Sequence, residues 1–475
     1  MQHRLLLILA MLVAMLACQA PGAWDQPGTL VSFGTSTGAG IPPVAEPPRD
    51  GSAADAASCD AAPTAGVLYL LAPSRDGVRL SPLDPDTLAD LPGCARLGAH
   101  ATGWSRSSDD GSTIASIVSE QQPGGPPFYI ATVVVRDAAT GEERSRFTPP
   151  GPIGGELRFT GDGALLLVQG WDAMWRPESV EWYVVDTANG ELRATLAAER
   201  EAYSHTFFTR SSRYLDRLMY RTNIGEVWPP TATGEPGPWP AEILTHDLSA
   251  GGVVVGRLAL PMVRAGAWWS ERTINNQRIP VQLMPGAALT LDGRKLALAH
   301  ADEDRVTLVD LERLAVERTI TAARAPTLGE RLGLGTRPAQ AKGMDGTARR
   351  ARFAPDGRFL YIWGSETRLE EGGRMTERPE PLRVIDLERG GLIAEAQTDT
   401  PLQDLLASAD GRALYVGGQR SPESAMPGAR PPYVLRRVDA TSLAVLAERE
   451  FPASRRVLFG GSETRIDPGG LLTSG

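Results

Sequence analysis

The stretch that decides the fold is VVVRDAATGEE, Val133–Glu143, where an apolar run ends in an aspartate and a short polar turn leads into another strand-like segment. Similar sequence motifs are WYVVDTANGEL, VTLVDLERLAV, LRVIDLERGGL and LRRVDATSLAV. The aspartate recurs seven times, as Asp84, Asp137, Asp186, Asp247, Asp310, Asp386 and Asp439. Aspartate suits a turn because its side chain can accept hydrogen bonds from the turn backbone. The chain is therefore a repeat protein built from strands.

A second sequence motif precedes the first in most repeats. It consists of two apolar runs separated by Asp-Gly. Its copies are WSRSSDDGSTIASIV, LRFTGDGALLLVQG, AALTLDGRKLALAH, RARFAPDGRFLYIWG and LLASADGRALYVGG. Asp-Gly between apolar runs predicts a hairpin, since glycine adopts positive φ without steric strain. The fourth repeat, HTFFTRSSRYLDRLMYRT, keeps the pattern without the Asp-Gly. Each repeat is thus predicted to be a four-stranded meander.

These two motifs resemble the WD-like and YVTN-type repeats of bacterial β-propellers, with their "SPDG-x-x-LYV" and "V-x-D-x-x-T-G" signatures. The resemblance covers about Gly66 to Gly470. Spacings of 49 to 76 residues between the aspartates exceed a compact blade, and insertions account for the excess. The resemblance implies a fold and says little about activity.

The two ends of the repeat region are complementary. The first unit lacks an innermost strand, and VLFGGSETRIDPGG (Val457–Gly470) reads as an innermost strand with nothing after it. Pairing of the termini removes exposed sheet edges. We therefore predict an all-β, seven-bladed β-propeller of four-stranded antiparallel blades, whose ring is closed by the C-terminal strand completing the first blade. The alternative is two repeat domains of three or four blades.

The N-terminus predicts export. Leu5–Ala17 is apolar but too short for a typical membrane span, and AMLAC ends at Cys18. This resembles a bacterial lipobox, which implies lipidation of Cys18, although an ordinary secretory signal is the alternative. The predicted organisation is residues 1–17 signal peptide, 18–65 a lipidated cysteine and a flexible Pro/Gly/Ala-rich tether, and 66–475 propeller. The predicted location is extracytoplasmic, lipid-anchored to the cell membrane, or to the outer membrane if the cell has one, as Gln19 suggests.

Charge and cysteine content narrow the partners. The net charge of −9 argues against nucleic acid. Once Cys18 carries lipid, Cys59 and Cys94 remain, and two cysteines in an exported chain usually pair. We predict a Cys59–Cys94 disulfide, with two free thiols as the alternative.

Long insertions, among them the stretch from Val263 to Pro285, are predicted on one face only, the face opposite both short turns. Six of the ten tryptophans lie in them: Trp171, Trp175, Trp228, Trp239, Trp268 and Trp269. Tryptophan is enriched at binding surfaces, which predicts an aromatic groove for an envelope protein, a peptide or a glycan. The alternative is that these rings only pack the loops onto the blades.

Counting seven residues back from each turn glycine, or its counterpart, selects one position near the channel mouth in every blade. The position holds Glu463, Trp104, Glu156, His205, Gly286, Arg350 and Asp404 for blades one to seven. Three carboxylates and a histidine could hold a divalent cation or polarise a substrate. No cofactor is predicted apart from such a cation. A solvated rim of mixed charges is the alternative.

The sequence favours a membrane-anchored binding or scaffold module that acts through its loop-rich face, as a monomer or in a hetero-complex. It lacks HExxH, Gly-x-Ser-x-Gly, a phosphate loop and CxxCH. The alternative is an enzyme or enzyme subunit with a site at the channel mouth, because the YVTN resemblance extends to the heavy subunit of quinoprotein amine dehydrogenases and to lactonase-like propellers.

Overall fold

The computed structural model describes residues between Leu68 and Phe459. The described ranges are 68–74, 77–93, 95–97, 104–108, 112–121, 129–137, 140–151, 153–160, 162–170, 180–197, 203–209, 211, 213–221, 237–274, 277–290, 292–323, 346–369, 375–408, 410–420, 432–451 and 456–459. Cys18, Cys59, Cys94 and Glu463 lie outside these ranges, as do Trp171, Trp175 and Trp228. No helix in the described ranges is long and apolar enough to cross a membrane.

The first half of the described chain forms fifteen strands and one 3-10 helix, Leu248–Ala250. The strands are β1 (Leu68–Ser74), β2 (Gly77–Leu83), β3 (Ala95–Leu97), β4 (Trp104–Ser107), β5 (Thr113–Gln121), β6 (Tyr129–Asp137), β7 (Glu143–Phe147), β8 (Ile153–Phe159), β9 (Leu165–Gly170), β10 (Val180–Asp186), β11 (Leu192–Ala197), β12 (Tyr203–Thr209), β13 (Tyr214–Arg221), β14 (Trp239–Asp247) and β15 (Val253–Ile274).

The second half of the described residues adds fifteen more. They are β16 (Gln277–Met284), β17 (Gly286–Leu289), β18 (Lys295–Ala299), β19 (Arg305–Asp310), β20 (Ala315–Thr321), β21 (Gly346–Phe353), β22 (Phe359–Leu369), β23 (Met375–Pro379), β24 (Leu382–Asp386), β25 (Gly391–Ala396), β26 (Asp404–Ala407), β27 (Ala413–Gln419), β28 (Tyr433–Asp439), β29 (Val445–Phe451) and β30 (Arg456–Phe459).

Most of these strands form four-stranded antiparallel units, which we number along the chain. Five units are separate sheets, whereas units 4 and 6 are parts of one ten-stranded sheet that is joined through β16 and also contains β23. From first strand to fourth, the units are β30-β1-β2-β3, β4-β5-β6-β7, β8-β9-β10-β11, β12-β13-β14-β15, β17-β18-β19-β20, β21-β22-β24-β25 and β26-β27-β28-β29. The prediction of an all-β fold with four-stranded antiparallel sheets is confirmed in the described residues. In unit 1 the C-terminal strand β30 pairs with β1, with Phe459 opposite Leu68.

Apolar clusters join neighbouring units. Units 2 and 3 share one cluster around Val133 and Phe159, and units 3 and 4 share another around Trp182 and Leu215. Further clusters join unit 4 to 5, 5 to 6, and 6 to 7. Unit 7 packs on unit 1 through a cluster that contains Tyr433. Burial of the two faces of each sheet against its neighbours is the main apolar stabilisation in the described residues.

The repeated aspartates behave as the sequence predicts. A backbone N–H two or three residues further on donates to the carboxylate of each one: Thr87 to Asp84, Thr140 to Asp137, Ala188 to Asp186, Ser249 to Asp247, Glu312 to Asp310, Glu388 to Asp386 and Thr441 to Asp439. These bonds close the turn between the third and fourth strands of every unit.

The residue four positions after each aspartate has a positive φ. It is glycine at 141, 190, 251 and 390, but leucine at Leu88, Leu314 and Leu443. Leucine rarely adopts this conformation. Leu88 and Leu443 are buried in the clusters between units, so their packing offsets the backbone strain.

Prediction for acid stability. The backbone N–H of Ser442, its hydroxyl and Thr441 together lower the pKa of Asp439 from 3.8 to about 2. A carboxylate with a depressed pKa contributes stability that is fully present above pH 3.8 and is lost as the pH falls toward 2. Asp439→Asn should therefore flatten the pH dependence of the thermal midpoint in this window. An unchanged slope in Asp439→Asn would contradict the prediction.

Candidate functional site

The two edges of each unit differ. The turns from first to second strand and from third to fourth strand lie at one edge, which we call the turn edge. The connections from second to third strand and between units lie at the other, the loop edge. At the turn edge, five residues separate Phe353 from Phe359 and Leu289 from Lys295. Short turns leave little room for a binding loop, so the loop edge is the candidate site.

The longest described feature of the loop edge is a sheet extension, whereas the connection from Ala299 to Arg305 in unit 5 is five residues long. β15 runs for 22 residues and leaves unit 4 near Gly266, whose φ is +133°. Its second half pairs with β16, which pairs in parallel with β21 of unit 6. β22 also continues beyond its unit and pairs with β23. The stretch Val263–Pro285, expected as a loop insertion, is therefore largely a hairpin, and it ties unit 4 to unit 6.

Two of the predicted ligand-binding tryptophans are packed inside this extension. Trp239 in β14 and Trp268 in β15 are both buried, with ring centroids 5.9 Å apart in an edge-on arrangement. A Cβ on Gly237 would lie 2.7 Å from the Trp268 ring, so the chain needs glycine there. Trp269 is half-buried. The geometry of Trp239 and Trp268 matches the packing alternative, while their ligand-binding role stays a prediction.

Strand register gives a different residue of unit 1 at the level of Arg350, while the channel-mouth role of Glu463, which lies outside the described residues, stays a prediction. Phe459 of β30 pairs with Leu68 as Phe353 of β21 pairs with Leu360. Three residues earlier, Arg456 is therefore equivalent to Arg350, and Glu463 follows the end of β30. The count from Gly470 failed because the first strand of unit 1 ends at Phe459.

The position predicted in unit 4 shifts by one residue. The equivalent level in the second strand of unit 4 is Leu218, which lies four residues after the first residue of β13. Leu218 pairs with Thr206, whereas His205 pairs with Met219. Only four residues separate Thr209 from Tyr214, one fewer than in the equivalent Asp-Gly turns. A shift of one residue reverses the face of a strand. Thr206 is therefore the equivalent position.

Asp404 is held from within the protein. Its carboxylate is 4% exposed and accepts a 2.6 Å hydrogen bond from the hydroxyl of Tyr433, the fully buried first residue of β28. The Tyr433 side chain passes over Gly417, where a Cβ would lie 1.7 Å from the tyrosine oxygen. Glycine at 417 is thus required, and Asp404 ties the first strand of unit 7 to the third.

Arg350 also contacts the neighbouring units. Its Nη1 donates to the Gln403 carbonyl at 2.8 Å, and Arg352 Nη1 donates to Leu405 O at 3.1 Å. On the other side, a Cβ on Gly286 would lie 2.7 Å from the Arg350 backbone. The structure therefore brings the predicted positions Gly286, Arg350 and Asp404 of units 5, 6 and 7 together. Trp104 in β4 lies at the equivalent register, and Glu156 lies in β8 within a register irregularity between Ile153 and Leu157.

Sequence analysis missed Arg349. Its guanidinium is buried, bonds Glu380 at 2.8 Å and Asp304 at 3.1 Å, and donates to the carbonyls of His300 and Glu303. Burial lowers the pKa of Arg349, but the charges of Glu380 and Asp304 outweigh it and raise the pKa overall. The network clamps unit 5 to unit 6. The adjacent arginines 349 and 350 were a possible signal, but nothing local marks Glu380 as the partner.

No group of three or more His, Cys, Asp or Glu side chains that could hold a metal occurs in the described ranges. The divalent cation considered at the channel mouth stays a prediction, since Glu463 lies outside the described residues.

Comparison with known proteins gives no family. No protein-family model matches the chain, and no curated protein matches it. A solved structure described as a crystal structure of the eukaryotic initiation factor is similar to it at 13% identity, covering 85% of this chain and 89% of that chain with a TM-score of 0.43.

Prediction for the Tyr433–Asp404 pair. Tyr433→Phe removes the hydroxyl donor and leaves a buried carboxylate with one fewer partner, which should reduce the free energy of unfolding by about 1–3 kcal/mol. Asp404→Asn keeps an acceptor for the same hydroxyl and should lose less. Denaturant unfolding of both variants checks this order. Equal losses, or a larger loss in Asp404→Asn, would contradict it.

Proposed function

We propose that the chain is a seven-bladed propeller whose ring closes through unit 1. Six apolar clusters join consecutive units from 2 through 7 and then join unit 7 to unit 1. Polar contacts strengthen this last junction: Tyr415 donates to Pro85 O at 2.9 Å, and Arg449 pairs with Asp90 at 2.6 Å. The strand order of unit 1, with β30 beside β1, supports closure by the C-terminal strand.

The proposed propeller is extracytoplasmic and anchored by lipid at Cys18. The N-terminal sequence supports this. Leu68 pairs with Leu83, the residue before the Asp84 turn, so the described chain begins at the turn edge. A tether attached there leaves the loop edge open to partners.

The proposed role is binding of a ligand or partner protein at the loop edge, in a scaffold or recognition module of the cell envelope. The observation that carries this is the asymmetry between the edges. The turn edge is finished by short turns whose aspartates bond their own backbone, whereas the loop edge carries the extension from β15 to β23. An enzymatic site at the channel mouth has less support, because Arg350 and Asp404 both make contacts within the fold.

Prediction for anchoring. Cys18→Ala removes the sulfur that the lipid would occupy, so the protein should move from the membrane fraction to the soluble fraction in cells that export it. A single acyl chain gives only marginal membrane binding, and a lipoprotein needs the full lipidated cysteine for stable anchoring. Cys94→Ala is the matched control and should stay with the membrane. Retention of Cys18→Ala in the membrane fraction would count against a lipid anchor.

Prediction for the binding edge. A photo-crosslinking amino acid at Arg378, exposed on β23 at the loop edge, should give an adduct in cells. The same amino acid at Arg412, whose side chain is 88% exposed at the turn edge, is the control and should give none. Adducts from Arg412 alone would place the partner on the wrong edge and reject the proposal.

A further inference from the structure

His300 is a buried histidine at the loop edge of unit 5. It follows β18, begins the connection to β19, and is 0% exposed. Its Nε2 lies 2.8 Å from the hydroxyl of Thr307, which lies 3.2 Å from the hydroxyl of Thr319. Its Nδ1 is buried and has no hydrogen-bond partner in the part of the chain that the structure describes. The site therefore suits a neutral ring and leaves one ring nitrogen unused.

Asp302, two residues further along the same connection, also has an unused polar atom. Its Oδ1 is buried without a hydrogen-bond partner among the described residues. Buried polar atoms without partners are rare and costly, so a pair of them in one short connection needs an explanation. A protonated imidazole donates from both nitrogens, and a carboxylate is an acceptor. A protonated His300 and Asp302 can therefore satisfy each other, whereas the neutral ring leaves both atoms unused.

The environment of the ring opposes its protonation. Burial has the largest effect and lowers the pKa of His300 below its usual value of 6.5. The carboxylates of Asp302 and Glu303 favour the charged ring, whereas the guanidinium groups of Arg305 and Arg349 oppose it. Because the pKa is lower in the folded state, the stability contributed by the neutral ring is fully present above pH 6.5. It is lost as the pH falls below 6.5 and through the folded-state pKa.

Arg349 connects this ring to the junction between units 5 and 6. It donates to the carbonyl of His300 and, at 2.7 Å, to the carbonyl of Glu303. Asp302 lies between these two residues in the sequence, so a movement of Asp302 toward the ring would disturb both carbonyls. The charge of Arg349 also disfavours protonation of His300. Because such coupling is reciprocal, a protonated His300 disfavours the present position of Arg349 by the same free energy.

We propose that His300 makes the junction between units 5 and 6 sensitive to pH. With the neutral ring, the carbonyls of the connection hold Arg349 and the junction is closed. Addition of one proton gives a ring with N–H at both nitrogens, which bonds the carboxylate of Asp302, and Arg349 loses its contacts with unit 5. Histidine suits this role because its charge changes near neutral pH. The inference goes beyond the binding role proposed above and does not depend on it.

The test is hydrogen exchange of the full-length chain between about pH 7.5 and 5.5, the range in which histidine titrates, corrected for the intrinsic pH dependence of exchange. Two amides report on the connection. The amide of Arg305 donates to Glu303 O at 2.9 Å. The amide of Ala322 donates to Asp304 O at 2.8 Å. Their protection should fall about five- to tenfold over one pH unit below 6.5, the change that uptake of one proton produces. The amide of Ala440, bonded in the turn of unit 7, is the reference and should keep its protection.

Three variants identify the titrating group. His300→Gln keeps a side chain that can donate and accept but cannot take up the proton, so it should abolish the pH dependence at the two reporter amides. Asp302→Asn removes a charge that favours the protonated ring, so the loss of protection should move to lower pH. Asp292→Asn makes the same chemical change at the turn edge of unit 5 and is the matched control. A hydrogen bond from Thr290 lowers the pKa of Asp292, which is ionised throughout this range, so the control should behave as the wild type does.

Three results would overturn the proposal. Constant protection at the reporter amides across the range would show that the junction does not respond to pH. An unchanged pH dependence in His300→Gln would assign the titration to another group. An equal loss at Ala440 would show that the whole molecule unfolds in acid. If His300→Gln does not fold, Asp302→Asn decides, and a shift to higher pH or no shift rejects the proposal.

Discussion

The hydrogen bonds from turn backbone to the repeated aspartates are the constraint on which the other features depend. Each one holds the turn between the third and fourth strands and thereby sets the register of the fourth strand against the third. That register determines which side chains face the next unit, because one residue of slip exchanges the two faces of a strand. Leu88 and Leu443 show how strict the turn is. The chain accepts a positive φ at leucine rather than change the turn, and burial between units compensates for it.

The repeats made the strands predictable from sequence, but their exact register was less so. Counting back from the turn glycine located Trp104, Gly286, Arg350 and Asp404 at equivalent levels, whereas Glu156 falls within a register irregularity of β8. It failed in unit 4, where the turn lost both its Asp-Gly and one residue, and in unit 1, where the two strands that meet come from opposite ends of the chain. Local counting has no information about a pairing that is more than 380 residues apart in sequence.

The loop edge was harder to predict for a different reason. The second half of β15 contains Trp268 and Trp269 in a stretch bounded by glycine and proline, which is typical of an insertion. Its partner β16 in turn pairs with β21, and all of unit 5 lies between these two strands in the sequence. Long-range parallel pairing leaves no local periodicity, so strand and loop could not be distinguished there. Arg349 is a similar case, since its partner Glu380 lies 31 residues away on a turn.

Equivalent register does not imply equivalent chemistry. The position of Arg350 in unit 6 corresponds to Asp404 in unit 7 and, by backbone pairing, to Arg456 in unit 1. Arg350 donates to the Gln403 carbonyl of the neighbouring unit, whereas Asp404 accepts from Tyr433 within its own unit. The repeated turns set where these residues lie along the strand, and the side chain that each unit carries there sets what it contacts. Counting from the turns can therefore predict a level in the fold without predicting the role of the residue that occupies it.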